Sequence, residues 1–315
     1  MLKINVKVVK DVVYNGKRIE RIYVGSKKYY DMYDGRINGY AIEAGSLSLA
    51  GRTYSYGAGY FDICIGDIGS NNIGTLFSNS KIGTLTHIGI DTRRTNYMGG
   101  PNYSFKGMFS GCSSLTSLDV SHFDTSKVTT MYCMFSGCSS LTSLDVSHFD
   151  TGNVQYMGLM FFGCSSLTSL DVSHFDTGKV QGMSQMFSGC SSLTSLDVSH
   201  FVTGNVNSMD MMFYGCKNMR TLNIGNMDLS GLVDDMSRTF MYCSNLRSIT
   251  GQFVWLKKSI SFGWSTLLDH DSAMMVINSA ETVTTVQTIA FSSNTKAPLS
   301  DEEKAIATKK GWAVS

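Results

Sequence analysis

A solenoid is the fold class that the sequence predicts, and three observations carry the prediction. The string Met108-Phe109-Ser110-Gly111-Cys112-Ser113-Ser114-Leu115-Thr116-Ser117-Leu118-Asp119-Val120-Ser121-His122-Phe123-Asp124-Thr125 returns at Met134, and again with one change at Met160 and at Met186, a period of 26 residues. Cysteines mark the same period at Cys112, Cys138, Cys164, Cys190 and Cys216, then at Cys243 after one inserted residue; histidines mark it at His122, His148, His174 and His200. The chain also holds 31 Gly and only 2 Pro among many Ser and Thr, which suits short strands and tight turns better than a helical bundle. A fixed period of roughly 20 to 50 residues means units that bury their apolar faces only against their neighbours.

Taken in order, residues 1–35 read as a small antiparallel β unit. Met1–Lys10 alternates apolar and charged residues, a strand pattern, and holds no apolar core of a secretory signal, so Sec export is not expected. Val12-Val13-Tyr14 and Arg18-Ile19 flank Asn15-Gly16, a strong two-residue hairpin signal because both residues tolerate positive φ. Arg21–Val24 and Lys28-Tyr29-Tyr30 flank Gly25-Ser26-Lys27 in the same way. So little apolar surface cannot hold a core alone, which makes the unit an expected attachment module. Residues 36–76, rich in Gly, Tyr and Ser, read as a connecting segment of further short strands.

The repeat region is expected over 77–250. Its first unit is degenerate: Leu85-Thr86-His87-Ile88-Gly89-Ile90-Asp91 aligns with the string from Leu115, but 30 residues away, with an insertion around Met98-Gly99-Gly100-Pro101. Within each regular unit, Leu115, Leu118 and Val120 fit the L-x-x-L-x-L pattern of leucine-rich repeats, a short strand that turns alternate residues inward. Phe123 to Val128 follows as a turn with both ends pointing in. Met131, Met134 and Phe135 fall at i, i+3 and i+4, which predicts a short helical turn closed by Gly137-Cys138. The predicted fold is thus a leucine-rich-repeat-like solenoid of short parallel strands and short helical turns.

The string Met-Phe-x-Gly-Cys-x-x-Leu-x-x-Leu-Asp-Val-Ser-x-Phe-Asp-Thr-x-x-Val resembles the 26-residue repeat of the BspA-like branch of leucine-rich repeats, found in bacterial surface proteins. That resemblance covers about 77–250 and implies a surface protein that binds host proteins or mediates adhesion.

Residues 251–315 read as an α/β C-terminal cap. A helix is expected from Ser265 to Ile277 and a strand from Val283 to Phe291; Ser300-Asp301-Glu302-Glu303 is a capping box opening a last helix that stops at Gly311. The ending Leu299–Trp312 resembles those of phage and prophage repeat proteins. Arg21–Asp31 is similar to strand-turn-strand elements at the starts of phage tail and fibre proteins.

Composition narrows the function. Lys and Arg number 26 against 25 Asp and Glu, so neither a nucleic acid nor an anionic membrane is an expected partner, and no apolar run is long enough for membrane insertion. The repeat cysteines would all point one way in a stack and are expected to be buried thiols rather than disulfides or zinc ligands; Cys64 and Cys133 stand outside the register. Stacked histidines on parallel rungs do not converge, so no metal is expected there. Nucleophile elbow, phosphate-cradling loop and isolated carboxylate pair are all missing, so no cofactor and no enzymatic activity are expected.

The outward residues of the strands form the candidate binding face: Ser117, Asp119 and Ser121, with Ser143, Asp145, Ser147, Ser169, Asp171, Ser173, Ser195, Asp197 and Ser199. Its acidic ladder is compensated either by solvent and the flanking Ser, or by Ca²⁺ or a cationic ligand. The functional expectation is a non-enzymatic phage virion protein, a tail or head fibre. Its expected partners are other virion proteins, reached through residues 1–35, and a host cell-surface glycan or protein; self-association is left open. The alternative is a bacterial surface adhesin of the BspA-like type.

Overall fold

The computed structural model describes residues 104–294 and 298–315 apart from His122, together with the backbone of nine strands between Val13 and Ile90. The insertion at 98–101 and the side chains of residues 1–103 lie outside the described residues.

Both predicted hairpins are present. β1 (Val13–Tyr14) and β2 (Lys17–Arg18) pair around Asn15-Gly16. β3 (Arg21–Val24) pairs with β4 (Lys27–Asp31), which begins one residue earlier than the sequence suggested, with a register shift between Ile22 and Tyr23. β5 (Arg36–Ala41), β6 (Gly45–Leu49), β7 (Arg52–Tyr56) and β8 (Gly59–Cys64) follow, with β6 and β7 forming a further hairpin. β5 lies between β8 and β9 (Leu85–Ile90), antiparallel to both, and β9 runs parallel to β10 (Ser117–Asp119). Residues 36–64 therefore do more than connect: two of their strands extend the sheet of the repeats and cover what would be an open edge. The pairing His87↔Ser117, Ile88↔Leu118 and Gly89↔Asp119 is the alignment that the degenerate unit predicts.

From residue 104 the chain shows short parallel strands and few helices. Parallel bridges join Ser104↔Thr130, Thr130↔Tyr156, Tyr156↔Gly182 and Gly182↔Ser208, each 26 residues apart. The predicted helical turn at Met131–Phe135 is instead a run of tight turns. Cys133 and Gly137 sit at φ +58° and +76°, and each reverses the local hand before a second α-helical bond can close. Met134, Ser136 and Cys138 donate three residues back, while the N–H groups of Met131, Cys133, Phe135 and Gly137 donate to the carbonyls of Tyr156, Gly158, Met160 and Phe162 in the next copy. This alternation is a continuous ladder between copies, placed on the Met-Phe side rather than on the Leu side.

On the Leu side, strands form at β10, β11 (Ser195–Asp197), β12 (Thr221–Asp228) and β13 (Ser248–Val254), the last three making a parallel sheet. The equivalent stretches at 143–145 and 169–171 are not strands, a departure from the expected regular sheet. Their neighbouring copies are held together by the turn ladder instead.

One column of side chains fills the interior. Phe109, Phe135, Phe161, Phe187, Phe213, Phe240 and Phe262 stack in sequence with centroids 5.6, 5.6, 5.7, 5.9, 5.6 and 4.7 Å apart. Every Leu, Val, Met and Phe position that the pattern turned inward in 104–210 is buried, Phe123 and Val128 included.

The cap closes the column. β14 (Ile260–Phe262), β15 (Gln287–Phe291) and β16 (Trp312–Val314) form a parallel sheet beside α1 (His270–Ser279) and α2 (Asp301–Thr308). The first helix begins five residues later than predicted because Asp269 is its N-cap, accepting the Ser272 N–H at 2.9 Å. Ser265 serves the stack instead: it is buried, and its hydroxyl donates to the Cys243 carbonyl at 3.2 Å, continuing the cysteine column. The capping box of α2 is as read, and Gly311 takes φ +93° just beyond that helix.

Candidate functional site

Asp119, Asp145, Asp171 and Asp197 are exposed, as are the Ser residues flanking them, except that Ser117 in β10 is half-buried. Each carboxylate does the same local work: its Oδ1 accepts the N–H two residues on, from Ser121, Ser147, Ser173 and Ser199, at 2.9 Å each. The Ser147 hydroxyl and N–H lower the pKa of Asp145, and Ser173 and Ser199 do so for Asp171 and Asp197. Asp197 accepts a further bond from the Asn223 amide at 3.1 Å. These four residues are turn formers with exposed side chains.

A second acidic row lies one turn on. Asp124, Asp150 and Asp176 accept the N–H of Ser126, Gly152 and Gly178, and the Thr residues at the next position of each copy, Thr125, Thr151, Thr177 and Thr203, are buried. Their hydroxyls bridge copies; Thr177, for example, donates to the Val202 carbonyl and accepts the Val202 N–H. His148 and His174 are exposed, while the ring Nε2 of His200 lies 2.7 Å from the Val172 carbonyl. His122 lies outside the described residues. Among the described residues no three His, Cys, Asp or Glu side chains are grouped to hold a metal.

Cys112, Cys138, Cys164, Cys190, Cys216 and Cys243 are buried, and no disulfide joins them. From Cys138 onward each thiol donates to the carbonyl of a Phe in the preceding copy, at 3.1 to 3.2 Å. Burial pushes the Cys164 and Cys243 thiols up to about 12. At pH 8 such a thiol is thiolate in only about one molecule in ten thousand, so it is a poor nucleophile. The measurable outcome is that the native protein resists alkylation at these six positions. After denaturation without reductant, all 8 cysteines of the chain take up reagent. Two or more intramolecular disulfides among the six would contradict this.

Sequence periodicity drew attention to identical units and passed over the two that differ. Around the fifth and sixth cysteines the core is kept: Met209, Met212, Phe213, Cys216, Met219, Leu222 and Ile224 are at most 1% exposed. The outward positions change. Arg220 and Arg247 replace Thr, Lys217-Asn218 and Ser244-Asn245 replace Ser-Ser, and Asn223 and Thr250 replace Asp. Tyr214 stands in a Ser position and packs on Tyr242 at 5.2 Å, which packs on Trp264 at 4.4 Å. Tyr242 and Trp264 are 37% and 48% exposed. The signal that could have found them is a departure from the consensus at positions the pattern turns outward.

No curated protein and no solved structure matches the chain. What matches is the repeat region itself: residues 103–224 and 142–253 are similar to the family described as "Mycoplasma protein of unknown function, DUF285", which is associated with BspA-like repeats.

Proposed function

We propose that residues 77–250 form a leucine-rich-repeat-like solenoid in a non-enzymatic binding protein, a phage tail or head fibre protein that displays the stack for host-surface recognition. The observation that carries the reading is the run of parallel bridges 26 residues apart, which sets the same outward side chains at regular intervals along one body. Repeated identical contacts raise avidity for a repetitive polymer without a deep pocket. The two hairpins of residues 1–35 serve attachment to other virion proteins, a role supported by their small size and by the short resemblances at both ends of the chain. A bacterial surface adhesin is the second reading, and the match of the repeats to a bacterial family favours it.

Two variants test the proposal. Deleting residues 1–35 should leave a folded stack that no longer enters particles; normal incorporation of the truncated chain would refute the attachment role. Asp→Asn at Asp119, Asp145, Asp171 and Asp197 keeps volume and turn pattern. If the ladder is the contact surface, binding to target cells falls severalfold; undiminished binding removes that face from consideration. Fractionation separates the readings, since a virion protein sediments with particles and an adhesin with the cell envelope.

A further inference from the structure

We propose that the surface of the fifth and sixth copies, continued at the start of the cap, binds an acidic polysaccharide, with Lys217, Arg220 and Arg247 meeting its carboxylates and Tyr214, Tyr242 and Trp264 supporting its sugar rings. The inference deepens the display reading above, on which it rests, by naming a ligand class.

The first support is the contrast within the chain. Where the interior is held nearly constant, the exterior turns from Ser, Thr and Asp to Arg, Lys, Asn and aromatic residues. Stacking alone gives no reason for that change, because the earlier copies stack without it.

Charge supplies the second. Arg220 and Arg247 are exposed and occupy equivalent places on adjacent rungs, the Arg247 N–H donating to the Arg220 carbonyl at 2.9 Å. Neighbouring strands lie about 4.8 Å apart, and like charges directly opposite at that spacing are unfavourable. Among the described residues neither guanidinium has an ion pair or a side-chain hydrogen bond, whereas Arg238 is neutralised by a two-point contact with Asp210 at 2.7 and 3.1 Å. An anionic ligand relieves the repulsion, and the guanidinium fork matches a carboxylate in two-point geometry.

The aromatic row supplies the third. Its rings are tilted at 85° and 45° to one another, Tyr242 and Trp264 are exposed, and the exposed Lys217 and Asn218 follow Tyr214 closely in the same copy. Sugar rings carry C–H bonds on one face and hydroxyls at the rim, so aromatic faces next to amides and cations match both. One rung of the stack is also roughly the length of one sugar residue. On the rungs to either side, Asp197 lies opposite Asn223 and the Asp269 N–H donates to the Arg247 carbonyl at 2.7 Å, which keeps the positive field to two rungs. A chain with one charge per sugar fits that field better than a nucleic acid or a densely charged peptide.

The test uses the full chain and polygalacturonate, with dextran, poly-glutamate and a single-stranded oligonucleotide as comparison probes, read by affinity electrophoresis and calorimetry. Polygalacturonate should bind tightest, with affinity falling as salt rises. Arg220→Gln with Arg247→Gln should weaken it by about tenfold or more, as expected for losing two charge-assisted contacts, and Tyr242→Ala by severalfold. Asn at the four ladder aspartates should leave it unchanged or tighter. All these side chains are exposed, and unchanged circular dichroism and thermal midpoint would confirm intact folding. Undiminished affinity in the double Arg variant overturns the proposal, as does equal binding to dextran or tighter binding to poly-glutamate or the oligonucleotide. Particle or envelope location is measured separately, so a failure here is distinguishable from a failure of the display reading.

Discussion

Phe161→Ala lowers the free energy of unfolding by about 3–5 kcal/mol, the range for deleting a buried aromatic side chain. Phe162→Ala, one residue along, costs less than about 1 kcal/mol, as expected where the ring already meets water. Phe161 has no exposed surface and lies between Phe135 and Phe187, at 5.6 and 5.7 Å and within 10° of parallel to both. Removing it opens a void at the middle of the column, where neighbours held by backbone ladders on both sides cannot collapse into the gap. Phe162 is 36% exposed and contributes mainly cover. In the proposed solenoid, whose copies touch only their neighbours, the loss also weakens coupling between the two halves of the stack. Urea unfolding followed by circular dichroism should therefore show a lower midpoint and a broader or split transition for Phe161→Ala alone. Equal effects for the two variants would mean that the column is not where the stability lies.

The periodicity of the sequence was enough to identify the column, because each inward Leu, Val, Met and Phe recurs at one register and burial follows register. It also identified the partner of β9, since Leu85, Ile88 and Ile90 fall in the register of Leu115, Leu118 and Val120 despite the inserted four positions. The tight turns at Met131–Phe135 were not legible. Their i, i+3, i+4 spacing is that of a helix, and only the positive φ of Cys133 and Gly137 distinguishes the two; a cysteine gives no sequence sign that it will adopt it. Asp269 is not legible as a cap because the apolar pattern runs on from Ser265, whose hydroxyl donates to the Cys243 carbonyl instead. On the candidate face, exposure was readable from alternation. The engagement of each Asp with the Ser two residues on was foreseeable from turn chemistry as well. Hidden from a repeat-based reading was the value of the irregular copies, where Arg220, Arg247, Tyr214 and Tyr242 break the pattern only on the outside.

Gly225→Ala should be among the most damaging small substitutions at the described residues, costing about 3 kcal/mol or more through strain and backbone displacement. Gly111→Ala should cost only about 1–2 kcal/mol, the penalty for a left-handed backbone. Both glycines have positive φ, +56° and +79°, so the conformational term is common to them. Space separates them: a Cβ at Gly111 meets nothing within 4 Å, while one at Gly225 collides with the Ser199 carbonyl and comes within 2.7 Å of the Ser199 Cα. Backbone atoms cannot swing aside as a side-chain tip can. Gly225 follows the bulge in β12, where its N–H reaches the Asn223 side chain at 3.2 Å, and it lies opposite Gly251, itself at φ +103°. Moving Gly225 outward would press on Gly251, since a Cβ there already falls 2.6 Å from the Gly225 nitrogen. The disturbance therefore spreads along β12 and β13, the strands that follow directly from Arg220 and Arg247. Gly225→Ala should lower both the thermal midpoint and polygalacturonate affinity, whereas Gly111→Ala should lower the midpoint slightly and leave affinity alone. Equal thermal shifts in the two variants would show that close approach of the backbones adds nothing beyond φ.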